Sequence, residues 1–124
     1  MRKLFIVLFL FFYIQSQAQT DQLQKIENDI KANAMEHKFD KQIIDLNNDQ
    51  IDDYIYLYQC GEPKCIKVYL NINGILKEQI AEQCWSYRVF NINNRKILTL
   101  ILGHCCGKAP MYRSGPLNLI QTER

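Results

Sequence analysis

Nine consecutive residues, Asp45-Leu46-Asn47-Asn48-Asp49-Gln50-Ile51-Asp52-Asp53, gather the oxygen-bearing side chains best suited to holding a cation. Oxygens fall at positions 1, 3, 5 and 9 of the stretch. A hard cation such as calcium takes about six to eight oxygen ligands, and a tight loop can aim alternate side chains and one carbonyl at a common centre. The spacing predicts side-chain donors from Asp45, Asn47, Asp49 and Asp53 and a backbone carbonyl from Ile51, with water completing the shell. The plainer use of the same residues is an Asx-rich turn that joins two strands.

This loop, followed by Tyr54-Ile55-Tyr56-Leu57, resembles the calcium loop of FG-GAP and VCBS-type repeats, the blades of integrin-like β-propellers, over residues 43–57 only. The resemblance implies a structural calcium ion, a loop that runs directly into a strand, and one blade-like hairpin unit. It does not imply a whole propeller, because a chain this short cannot supply a ring of four-stranded blades. Gln50 stands where those repeats usually carry glycine, which predicts strain if the backbone there adopts positive φ. Tyr56 occupies the position at which an EF-hand places its bidentate glutamate, and no helical pattern flanks the loop, so an EF-hand is not expected.

The five cysteines, Cys60, Cys65, Cys84, Cys105 and Cys106, are the second set able to do chemistry. Cys60-Gly61-Glu62-Pro63-Lys64-Cys65 brackets a turn and predicts a disulfide closing a hairpin, with modest stabilisation because the loop is short. A four-residue turn at Asn93-Asn94-Arg95-Lys96 would set Ile92 opposite Ile97, and hence Cys84 opposite Cys105, as a second disulfide. Cys106 is then a leftover thiol. His104 and Cys106, two apart on a strand, share one face, which admits a thiol-dependent enzyme or redox protein as an alternative function. No second cysteine pair repeats the Cys60–Cys65 spacing in the manner of a structural zinc site.

The start of the chain bears on both sets. Arg2 and Lys3 precede an unbroken apolar run over 4–14, and Ser16-Gln17-Ala18 supplies the small-x-small pattern read by signal peptidase. The run is too short for a bilayer core, which needs about 20 residues. A signal peptide over 1–18 is therefore expected, cleaved between Ala18 and Gln19, with no stable membrane anchor afterwards and a secreted or periplasmic destination. A lipid anchor at the cleavage site is not expected, since the first cysteine is Cys60. Cleavage removes two of the 15 basic residues and leaves 13, equal to the 13 acidic ones. A neutral mature chain lacks the basic surface on which nucleic-acid binding depends. An oxidising compartment also favours disulfides.

Thr20 is the expected N-cap of an amphipathic helix over 19–37, with Leu23, Ile26, Ile30 and Ala34 on one stripe and His37 capping its end. An antiparallel β domain follows over 38–107. Strands are expected at 54–58, 66–72, 75–81, 85–92 and 97–102, with a hairpin at Asn73-Gly74 and a central strand at 97–102, apolar on both faces. Residues 108–124 read as an irregular tail or a loosely held last strand. The fold class is α+β, mostly β: an N-terminal amphipathic helix packed on an antiparallel meander of about five to six strands.

Tyr54, Tyr56 and Tyr58 share one strand face, and Trp85 and Tyr87 another; if exposed, either offers an aromatic surface for another exported protein. The function expected is a non-catalytic exported binding or interaction domain with a structural calcium loop and disulfides. The alternatives are the thiol enzyme, a periplasmic inhibitor or immunity-type protein, and a truncated member of a longer family.

Overall fold

The computed structural model describes residues 1–103 and, by its backbone, the strand at 111–116. Helix α1 spans Arg2–Asn33, a short 3-10 turn follows at Met35–His37, and the described residues then form seven strands: β1 Asp40–Ile44, β2 Asp53–Tyr58, β3 Lys64–Ile72, β4 Ile75–Cys84, β5 Ser86–Ile92, β6 Arg95–Gly103 and β7 Met111–Pro116. Every pairing is antiparallel. The meander is divided into two sheets, β1-β2-β3-β4 and β5-β6-β7, instead of running on as one. The break falls at Trp85, whose amide donates to the Ile101 carbonyl and so begins the second sheet one residue after β4 ends.

Side-chain alternation sorts the layers. On one face of the first sheet, Ile55, Ile66, Val68 and Ile80 pack with Leu98 and Leu100 of β6 to form the core between the sheets. On the other face, Tyr54, Tyr56, Tyr58 and Tyr69 pack beneath Ile30 and Ala34 of the helix, with Leu23 and Ile26 alongside. The molecule is thus helix on sheet on sheet. A bulge keeps this consistent along β4: Val68 faces Ile80 but Tyr69 faces Glu78, so Gln79 is the extra residue. Leu76 therefore faces the helix while Ile80 and Cys84 enter the core between the sheets.

Helix α1 begins far earlier than the Thr20 cap predicts. Thr20 lies inside it, its Oγ1 donating to the Ser16 carbonyl at 2.9 Å. Residues 4–19 hold neither proline nor glycine, so nothing stops the helix from running through them. Side chains 1–18 are all exposed, and burial begins at Gln19. No described helix is long and apolar enough to cross a membrane. At the other end the helix stops at Asn33, and His37 Nδ1 lies 2.9 Å from the Lys31 carbonyl, which accepts from it, so His37 does cap the helix from beyond its end.

The Asn73-Gly74 hairpin forms with both residues at positive φ, 54° and 80°. The β5–β6 turn is tighter than the sequence predicts. Asn93 and Asn94 alone make it, at φ 50° and 58°, and Ile92 pairs with Arg95. Two consecutive residues in the left-handed region are what a two-residue hairpin of matching twist requires, and asparagine tolerates that region. This shifts the register by two, so the argument that set Cys84 opposite Cys105 no longer holds. The central position of the 97–102 strand does hold, since β6 lies between β5 and β7. Residues 111–116 of the expected irregular tail are strand β7; residues 104–110 and 117–124 lie outside the described residues.

One polar cluster fastens the helix to the sheet. Glu27 Oε1 accepts from Lys41 Nζ at 2.6 Å and from the Tyr56 hydroxyl at 3.0 Å. Burial pushes the Glu27 carboxyl up, but the bonds from Lys41 and Tyr56 and the charges of Lys41 and Lys31 outweigh it, leaving it below its ordinary 4.5. A carboxylate depressed in the fold stabilises it above the unfolded value and loses that contribution as pH falls through the folded one. Lys41→Met is therefore expected to lower stability near neutral pH and to flatten the loss below pH 4.5 that Glu27 causes. Urea unfolding midpoints across the acid range measure this; parallel profiles for the two proteins would show that Glu27 and Lys41 are not coupled.

Candidate metal centre

The loop between β1 and β2 is folded on its own aspartates. Asp45 accepts two backbone amides, from Asp49 at 3.3 Å on Oδ1 and from Gln50 at 2.8 Å on Oδ2. Asp49 Oδ1 accepts the Ile51 amide at 2.9 Å, and Asn47 Nδ2 donates to Asp49 Oδ2 at 3.2 Å. Asn48 and Gln50 take positive φ, 60° and 65°. Asparagine accepts that conformation readily; glutamine does so at a cost, at the position where the resembling repeats use glycine. Leu46 is 3 % exposed and drives into the core between the sheets, which anchors the loop.

Asp53 closes the loop from below. It is fully buried, and its two oxygens each accept a backbone amide at 2.8 Å, Leu46 on Oδ2 and Asn71 on Oδ1. Burial raises its carboxyl, the amides of Asn71 and Leu46 oppose that, and the charges of Asp49 and Asp45 add to it. Asp45 moves the other way. Burial again pushes up, but the amides of Gln50 and Asp49 and the charge of Lys96 prevail, so it sits below the ordinary carboxylate range.

One carboxylate oxygen from each of Asp45, Asp49 and Asp53 lies within 4.8 Å of the others, so this group could bind a metal ion. Two like unit charges about 4 Å apart repel by about 1 kcal/mol in water and about 4 kcal/mol near a protein surface. The repulsion is unfavourable unless a cation sits among the oxygens. Backbone amides already orient all three carboxylates, while each carboxylate offers about four lone-pair directions, so acceptor capacity remains. Asn47 belongs to the same network through Asp49, and Ile51 enters it by donating its amide.

Three residues far from the loop in sequence, Lys96, Asn94 and Asn71, also take part. Lys96 Nζ donates to the Asp45 carbonyl, and Asn48 Nδ2 to the Asn94 carbonyl, which ties the loop to the β5–β6 turn of the second sheet. Asn71, on β3, supplies the amide that holds Asp53. Lys96 is 51 residues from Asp45 in sequence. No local spacing announces such a contact, and the longer turn expected at 93–96 placed Lys96 outside a strand.

Cys60 and Cys65 are disulfide-bonded, with Cα atoms 5.7 Å apart, at the β2–β3 connection. Cys84 is a free, buried thiol; burial, with the Glu82 charge behind it and Lys64 opposing, pushes it up to about 11. His104, Cys105 and Cys106 lie outside the described residues. The tyrosine face of β2 is no docking surface: Tyr54, Tyr56 and Tyr58 are at most 6 % exposed beneath the helix. Trp85 and Tyr87 do not form an exposed pair either, since Tyr87 packs on the core between the sheets and donates from its hydroxyl to Gln42 Oε1 at 2.7 Å, whereas Trp85 is 46 % exposed. Comparison with known family models, curated proteins and solved structures finds no match to this chain.

Proposed function

We propose that this chain is an exported, non-catalytic binding or interaction domain whose β1–β2 loop holds one structural calcium ion. The observation that carries the reading is the convergence of Asp45, Asp49 and Asp53 in a loop already ordered by their own hydrogen bonds. Calcium suits an all-oxygen, irregular, partly exposed donor set better than magnesium, which demands near-octahedral geometry and keeps its waters. Asn47 and the Ile51 carbonyl are the further donors. The loop's likeness to FG-GAP and VCBS-type repeats agrees with this, as does the four-stranded meander of the first sheet, the strand number of one propeller blade.

Export rests on the leader pattern over 1–18, and the onset of burial at Gln19 supports it. The Cys60–Cys65 disulfide is compatible with an oxidising compartment. For a partner, the outer face of β5 remains among the described residues, with Phe90 and Ile92, two apart on the strand, 44 % and 53 % exposed. The thiol-enzyme alternative rests on His104 and Cys106, outside the described residues.

Calcium titration of the protein tests the ion by calorimetry and by melting temperature. Ligand at 100 times its dissociation constant stabilises a fold by about 2.7 kcal/mol. The expected result is a calcium-dependent rise in Tm for the wild type and none for Asp49→Asn, whose exposed side chain can change without disturbing the core. No heat and no rise in Tm with the wild type would eliminate the ion.

A further inference from the structure

Residue 19 is where helix α1 first touches the rest of the molecule. Every side chain before it is exposed, whereas Gln19 is half-buried and its Nε2 donates to Tyr54 Oη at 3.4 Å. Beyond it, Leu23, Ile26, Ile30 and Ala34 lie against the first sheet. Cleavage between Ala18 and Gln19, on which this inference rests and which belongs to the export reading above, makes the first residue of the chain a glutamine already placed at the sheet.

A glutamine at a chain terminus has chemistry that an internal one lacks, because its α-amine is free and its own δ-carboxamide is within reach of a five-membered ring. We infer that the exported chain carries pyroglutamate at residue 19. The α-nitrogen of Gln19 attacks its Cδ; the N–Cδ bond forms, the Cδ–Nε2 bond breaks, and Nε2 leaves as ammonia with the proton the amine gives up. Nothing is oxidised or reduced, and no further reactant enters. The departing nitrogen is the atom that meets Tyr54 Oη, on a strand residue that is 5 % exposed.

Two features of the fold give the closed ring a purpose. An α-ammonium at a helix start faces the positive end of the helix dipole, and lactam formation removes that charge. The lactam also leaves aminopeptidases no free amine, so trimming cannot begin at the residue from which the buried stripe of the helix follows. Leu23, Ile26 and Ile30 then stay on the sheet.

Mass spectrometry and Edman degradation of the protein recovered from the medium or periplasm of the cells that make it provide the test. The expected N-terminal peptide starts at residue 19, is lighter by one ammonia, and has lost nearly all Edman-reactive amine until a pyroglutamyl peptidase hydrolyses the bond after residue 19 and frees the amine of Thr20. A synthetic peptide of residues 19–25 taken through the same work-up measures ring closure caused by handling. The Gln19→Asn variant cannot form the five-membered ring and should keep a free amine. A peptide that starts at Gln19 with its amine intact overturns the inference and leaves the export reading standing. A terminus at any other residue overturns the inference together with cleavage after Ala18, and absence of the protein from medium and periplasm overturns export itself.

Discussion

Asp53→Ala is expected to lower the unfolding free energy by about 4 kcal/mol, measured in chelator so that no cation contributes. Asp53 is fully buried and is the acceptor for two buried amides, Leu46 and Asn71, at 2.8 Å each. A buried donor left without an acceptor costs about 1–3 kcal/mol, and here there are two. The loss is large against a total stability of about 5–15 kcal/mol. Part of it is returned because the Asp53 charge no longer faces Asp45 and Asp49, which burial and those charges already make unfavourable. Asp53→Asn keeps one acceptor oxygen and removes the charge, so its loss should be smaller than that of alanine. Guanidinium unfolding of the three proteins decides the matter. A loss under about 1 kcal/mol for alanine would mean that the loop does not depend on these bonds, because so small a change is typical of a site away from any buried network. The same variant should also abolish any calcium-dependent rise in Tm, since it removes the one carboxylate of the cluster that the fold holds from beneath.

Tyr56→Ala should cost a similar amount for a different reason. Tyr56 is fully buried at the centre of the face that the helix covers, with its ring edge-on to Phe39 at 5.4 Å and to Tyr69 at 6.1 Å. Truncating a buried aromatic ring costs about 3–5 kcal/mol through lost transfer energy and the cavity left behind. Its hydroxyl adds the bond to Glu27. Burial, then the Glu27 bond and charge, push that hydroxyl far above its ordinary range, so it remains a donor at any working pH. Tyr56→Phe separates the two contributions: it keeps the ring and should lose only about 1 kcal/mol, because Lys41 still partners Glu27. Hydrogen exchange read residue by residue should show the alanine variant exposing amides 19–33 of the helix before those of the core between the sheets. Uniform exposure of both layers would refute a helix held chiefly by Tyr56 and its neighbours.

The candidate site was legible in the sequence to the extent that it is local. Alternating oxygens between residues 45 and 53 pointed to a turn that brings carboxylates together, and Asp45, Asp49 and Asp53 do converge. What the spacing did not carry is the dual use of Asp53. A residue expected as a loop donor is also the buried acceptor that ties the loop to β3, and that role exists only because β3 lies next to β2. The three tyrosines of β2 illustrate the same limit. Alternation along β2 places Tyr54, Tyr56 and Tyr58 on one face, but nothing in the strand says which face the helix will cover.

The short-range features were legible in the sequence alone: the helix stripe from Leu23 to Ala34, the two-residue turn at Asn73-Gly74 and the Cys60–Cys65 closure. Each follows from steric or periodic rules acting over a few neighbours, such as the tolerance of asparagine and glycine for positive φ. The division into two sheets at Trp85, the parity change at Gln79 and the arrival of Lys96 at the Asp45 carbonyl were settled only by the tertiary structure. These depend on which apolar faces find one another. Burial is a non-directional force that acts between residues far apart in the chain, so it leaves no spacing to read.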